Sequence, residues 1–198
     1  MDKIAKTGKD KKWATVLYLI CREFQSKTVF ELGSCAGISA IYLSSPKSVE
    51  NLITVEGSEK LAEIAERSLE PYDFSHVVNK HFDDSIDSEL PNIDSKIDFA
   101  FIDGHHEKNA TIHYFNKLLP YLDKGGVVVF DDISWSQDMR NAWKEIKKKD
   151  EFSHTIDLGK IGVCIIKASD ADSKNNPKEW DLRSIVGHSG IGSPHGWK

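Results

Sequence analysis

The chain has 198 residues, 39% hydrophobic and 29% charged, with 26 basic and 31 acidic side chains giving a net charge of −5. That length fits one domain with a full-sized core, and the mild acidity excludes a dedicated nucleic-acid binder, which carries a basic surplus. The longest apolar run, Trp13 to Cys21, is nine residues, short of the ~20 that a membrane span needs, and no signal-cleavage pattern follows it. The three cysteines, Cys21, Cys35 and Cys164, form no CxxC pair and no zinc spacing. Free thiols in a reducing compartment, and so a cytoplasmic protein, are expected.

In chain order, a Lys-rich arm (residues 1–12) leads to a helix at about 13–24. Strands are expected at Thr28–Leu32, Asn51–Glu56, 75–82, Ile97–Ile102 and 126–130, where β-branched and apolar residues run together. Helices fall between them: Ile38–Ser44 ends before Pro46, 59–70 ends at Pro71, and 111–119 ends at Pro120. This alternation predicts βαβ units and a parallel sheet. After a helical stretch at 137–149, the strand-like runs Phe152–Asp157 and 161–167 are separated only by Leu158, Gly159 and Lys160. Three residues cannot hold a crossover helix, so these two strands form an antiparallel hairpin. The chain thus divides into a basic arm and helix (1–27), a core (28–167) and a Gly/Ser-rich tail (168–198) with linker composition.

The turn after the first strand reads Glu31-Leu32-Gly33-Ser34-Cys35-Ala36-Gly37. Small residues there let a ligand approach the backbone, beside the free N–H groups of a helix start. A pyrophosphate binder would show G-x-G-x-x-G; here an acidic residue stands two places before the first glycine, which suits a ligand carrying an ammonium group. The second strand ends in Glu56-Gly57-Ser58, and an acidic residue at that point can accept both hydroxyls of a ribose. An ordinary tight turn is the alternative.

The segments VFELGSCAGISAIYLS, LITVEGS, IDFAFIDGHH and LDKGGVVVFDDISW, in that order, resemble a class I S-adenosylmethionine-dependent methyltransferase over roughly residues 28–167. The resemblance implies a Rossmann-like α/β fold: a seven-stranded sheet, mostly parallel, with a C-terminal antiparallel hairpin strand and helices on both faces. It also implies cofactor contacts by Glu31, Gly33, Ser34 and Gly37 at the methionine end and by Glu56 and Gly57 at the ribose. Phe82 and Asp83 would lie near the adenine. Cys35 stands where the family has its middle glycine.

Asp103 follows the fourth strand, and Asp131 and Asp132 follow the fifth. Carboxylates at neighbouring strand ends emerge at one edge of a parallel sheet, repel one another, and suit a hard divalent cation such as Mg2+. Helix or turn capping is the competing reading for each Asp alone. The same pattern resembles the metal-dependent O-methyltransferases, of the catechol type and of the type acting on antibiotic sugar hydroxyls. By that resemblance Asp103, Asp131 and Asp132 are the metal ligands. His105, two residues past Asp103, is a candidate general base, with His106 as substitute. An iron triad built on the two adjacent histidines is disfavoured, because neighbours in a chain point apart.

Ser134, Trp135 and Ser136 are expected in the wall of an acceptor pocket, and Trp143 in the core. The expectation is a methyltransferase placing a methyl group on the hydroxyl of a small molecule, with no nucleic-acid or membrane partner. The N-terminal helix and the tail are available to close over the acceptor or to form a homodimer. Two alternatives stand beside it: a metal-independent methyltransferase acting on N or O, and a non-catalytic protein of the same fold that binds the cofactor.

Overall fold

The computed structural model describes residues 10–169 and 176–187. Residues 1–9 of the expected arm, and 170–175 and 188–198 of the tail, lie outside them. The described elements are, in chain order, α1 (Lys11–Glu23), β1 (Thr28–Leu32), α2 (Ile38–Ser44), β2 (Asn51–Glu56), α3 (Glu59–Leu69), β3 (Ser75–Asn79), α4 (Phe82–Glu89) and β4 (Ile97–Ile102). They continue with α5 (Lys108–Leu118), β5 (Leu122–Phe130), α6 (Gln137–Ile146), β6 (Phe152–Asp157), β7 (Gly162–Ile166) and β8 (Lys178–Asp181). The strand order is β3-β2-β1-β4-β5-β7-β6-β8. The chain separates inside β4 into two compact units, residues 1–99 and 100–198.

In the first unit, β1 pairs in parallel with β2, Thr28 facing Asn51, and β2 pairs in parallel with β3, Leu52 facing Ser75. All five residues of β1 are buried, as a strand covered on both faces requires. α1 begins with Asp10, whose carboxylate accepts from the Lys12 N–H, and it packs on α2, where the Cys21 thiol points at the Leu43 carbonyl. α4 was not expected. The third strand was read through Phe82, but pairing stops at Asn79 and a short helix starts at Phe82, with Asp83 and Asp84 in its first turn. Acidic side chains there favour the positive end of the helix dipole.

In the second unit, the hairpin is present: β6 pairs antiparallel with β7, and β7 in turn pairs antiparallel with β5, Val127 facing Ile165. β7 is therefore inserted between β5 and β6. α6 starts at Ser136, whose hydroxyl accepts from the Met139 N–H (3.1 Å), and it buries Met139, Ala142, Trp143 and Ile146. Trp143 is in the core, as expected. Its ring lies so close to Gly162 that a Cβ at that position would sit 2.5 Å from it. The sheet has eight strands rather than seven, because residues of the tail form β8, parallel to β6 with His154 facing Lys178. No described helix is long and apolar enough to cross a membrane.

Candidate functional site

The glycine turn is in the first unit. Gly33 (φ +97°), Cys35 (φ +48°) and Gly37 (φ +82°) all adopt left-handed backbone, which is what folds seven residues into a tight loop between β1 and α2. Gly37 is fixed twice over: a Cβ there would meet the Ala65 Cα of α3 at 3.0 Å. The loop amides are used internally. The N–H groups of Gly33 and Ser34 both donate to the Val55 carbonyl (2.9 and 3.1 Å), and that of Gly37 donates to the Ser34 carbonyl (2.8 Å). The Cys35 N–H donates to Glu56 Oε2 (2.8 Å). A pyrophosphate would need those donors, so the loop is not a phosphate cradle.

Glu56, at the end of β2, is clamped through both oxygens: Oε1 accepts from the Ser58 N–H (2.8 Å) and Oε2 from Cys35. Each carboxylate oxygen has a second lone pair, so the half-buried group can accept further hydrogen bonds. Gly57 beside it is exposed. Ser34 is buried and Phe82 and Asp83 are half-buried at the start of α4. Glu31 is different. It has no exposed surface, and Thr54 donates its hydroxyl to Oε2. An open loop of small residues with a clamped carboxylate beside it fits an adenosyl cofactor that presents hydroxyls and no phosphate.

The acid set is in the second unit. The Asp131 N–H donates to the Ile102 carbonyl (3.0 Å), which places the residues after β5 beside those after β4. Asp103, Asp131 and Asp132 are gathered around two side chains, His106 and Lys160. His106 Nε2 lies 3.7 Å from Asp103 Oδ1 and 3.8 Å from Asp132 Oδ2, and its ring stacks on Trp135 at 5.6 Å. Lys160 Nζ donates to Asp132 Oδ1 and lies 3.5 Å from Asp131 Oδ2. Burial, and then the neighbouring Asp131, push the Asp132 carboxyl above the usual carboxylate range, with Lys160 and His106 opposing them. His105 (φ +61°), His106 (φ +40°) and Asp132 (φ +49°) are three of the five non-glycine residues with left-handed backbone among those described, and Cys35 is a fourth. Strain of this kind collects at functional sites.

His105, the base expected from the sequence, has its Nδ1 against the Tyr114 hydroxyl at 2.6 Å; the histidine aimed between Asp103 and Asp132 is His106. Of the expected pocket wall, Trp135 borders the set. Ser134 instead accepts from Arg140 (3.2 Å) and Ser136 caps α6. Sequence reasoning missed Lys160, because a lysine in a hairpin turn carries no signal of what lies opposite it.

A magnesium ion needs oxygen ligands at about 2.1 Å in near-octahedral geometry. Here the Asp132 oxygen and its Asp131 neighbour already face one ammonium, so the three aspartates as arranged do not fit a divalent ion. No group of three or more His, Cys, Asp or Glu side chains among the described residues is disposed to hold one. The expectation of magnesium at Asp103, Asp131 and Asp132 is therefore not carried forward.

Residues 30–133 match the family of methyltransferase domains, and the chain belongs to that family. It is 29% identical over 129 residues to an uncharacterized protein, R132, of Acanthamoeba polyphaga mimivirus, covering 60% of this chain and 58% of that one. The chain thus spans little more than half the length of that relative. Among solved structures it is similar to an O-methyltransferase from Bacillus cereus in complex with SAH (22% identity, 80% of this chain and 82% of that one, TM-score 0.67). It is also similar to the O-methyltransferase TomG from Streptomyces achromogenes, involved in tomaymycin synthesis and in complex with SAM (19% identity, 81% and 82% covered, TM-score 0.63). These likenesses establish a shared fold.

Proposed function

We infer that the protein is an S-adenosylmethionine-dependent methyltransferase that methylates a hydroxyl of a small molecule. The observation that carries this reading is the clamped Glu56 beside a loop whose amides are already used, a combination that suits a ribose and an amino acid end better than any phosphate. The O-methyltransferase structures of the same fold, bound to SAM or SAH, support it.

When bound, the cofactor supplies an electrophilic methyl on a sulfonium, and the reaction is an in-line displacement. The chain's part is to hold the two reactants and to take a proton. Gly33, Ser34 and Gly37 shape the loop against the methionine end, Glu56 and Gly57 border the ribose, and Phe82 and Asp83 stand at the adenine end. His106 Nε2 takes the acceptor hydroxyl proton as the new C–O bond forms, and the imidazolium produced is held between Asp103 and Asp132. His105, tied to Tyr114, positions the turn that carries His106. Trp135 offers an apolar face beside the base.

Calorimetry tests the reading. S-Adenosylmethionine and S-adenosylhomocysteine should both bind the full chain, and Glu56→Ala should weaken each by about tenfold or more, the loss of hydrogen bonds to a charged acceptor. No heat from either ligand with folded protein overturns the reading.

A further inference from the structure

The acid set contains its own cation. The β6–β7 turn is built to deliver it: Asp157 at the end of β6 is held by Arg140 Nη2 (2.8 Å) and Trp143 Nε1 (3.0 Å), and its other oxygen accepts from the Gly159 N–H (2.8 Å). Gly159 turns the chain at φ +84°. The Leu158 N–H then donates to the Ile161 carbonyl (3.0 Å), and the Ile133 N–H donates to the Lys160 carbonyl (2.9 Å). That last bond ties the backbone of Lys160 to the residue directly after Asp132. The lysine side chain is 15% exposed, against 3% for Asp131 and 9% for Asp132, so its charge is spent on these carboxylates and not on solvent.

We propose that Lys160 is a built-in cation standing where a divalent metal ion would stand, and that removing its charge turns Asp103, Asp131 and Asp132 into a divalent-cation site. The three carboxylates carry too much negative charge to be buried uncompensated. An ammonium and, when protonated, an imidazolium balance most of it, and a second cation at the same oxygens would be repelled by the first. The bond from Ile133 fixes the Lys160 backbone within reach of these carboxylates, and the ammonium is held there by Asp131 and Asp132. This goes beyond the methyl-transfer reading, and its test needs neither cofactor nor acceptor.

The probe is Mn2+ titrated into the full chain, with the free ion followed by electron paramagnetic resonance. Wild-type protein is expected to leave Mn2+ free, whereas Lys160→Met and Lys160→Gln bind it tighter by about tenfold or more, the scale of one removed like charge. Adding Asp131→Asn to either variant should release the ion again. Lys160→Arg keeps the charge and should behave as wild type. Tight stoichiometric Mn2+ binding by wild type overturns the proposal, and so does the failure of both neutral variants, shown folded by circular dichroism, to bind more tightly than wild type. If neither neutral variant folds, Asp132→Asn decides. A built-in ammonium makes Mn2+ indifferent to that change, while any Mn2+ bound by wild type and lost in Asp132→Asn counts against it.

Discussion

Cys35 sits in the glycine loop half-exposed, while Cys21 and Cys164 are sealed. Burial pushes the Cys21 thiol up to about 12 and the Cys164 thiol well above its ordinary value, so neither forms thiolate near neutral pH. A maleimide at about pH 8, below the ordinary thiol pKa, should label the folded protein once, at Cys35. Unfolding in guanidinium should release all three sites. Mass spectrometry reads the count, and S-adenosylhomocysteine should slow the single labelling in native protein. The residues of the site were unevenly legible. Glu56 and Asp131–Asp132 could be read because strand ends are marked by abrupt changes from apolar to acidic residues. His106 could not be preferred over His105, since consecutive left-handed residues decide which ring turns inward, and nothing in the letters HH announces that backbone. The spacing of Glu31 to Gly33 could not announce the Thr54 hydroxyl that it meets on β2.

Among the elements, Gly162 at the start of β7 lies against Trp143 on α6 so closely that a Cβ there would sit 2.5 Å from the ring. Gly162→Ala pushes a methyl group into an indole with no room to move, because the ring is pinned at both ends: by neighbours in the core and through its Nε1 bond to Asp157. The expected loss is roughly 1–3 kcal/mol, read as a lowered midpoint in urea with an unchanged slope. Loosening the ring also loosens Asp157, and with it the turn that carries Lys160. Most elements were legible from apolar runs ended by proline or glycine. The two that were not have physical reasons. α4 is mostly Asp and Ser, with little apolar periodicity, and β8 has four exposed residues, so neither buries a face that a pattern could reveal. β8 is held by backbone pairing to β6 and by the ion pair of Glu179 with Lys147.

For the whole molecule, the acid excess is a term in stability. The folded pKa of Asp132 is raised, so the native state holds a proton over a pH range in which the unfolded chain has released it. The contribution is therefore greatest below the unfolded value, near the ordinary aspartate 3.8, and is lost as pH rises through the raised folded value. Thermal melts from acid to neutral pH should show wild type losing stability relative to Asp132→Asn as pH rises across that window. A difference curve that is flat, or slopes the other way, contradicts the direction of the shift. The net charge of −5 had no evident partner in composition alone; in the structure part of it is Glu56, held by the Cys35 and Ser58 N–H groups, and part is the carboxylates facing Lys160.

β8 has one more consequence. Sheets that stop at an apolar strand invite other chains to continue them, and native proteins guard such margins with charge. β6 presents Phe152, Thr155 and Asp157 as buried residues, and β8 lies along it carrying Lys178, Glu179 and Asp181. The Lys147 ammonium on the chain just after α6 clasps Glu179. The strand acts as a hem. A chain cut before residue 176 should keep the S-adenosylmethionine affinity proposed for residues of the first unit, yet turn cloudy on warming at concentrations where the full chain stays clear, as light scattering would register.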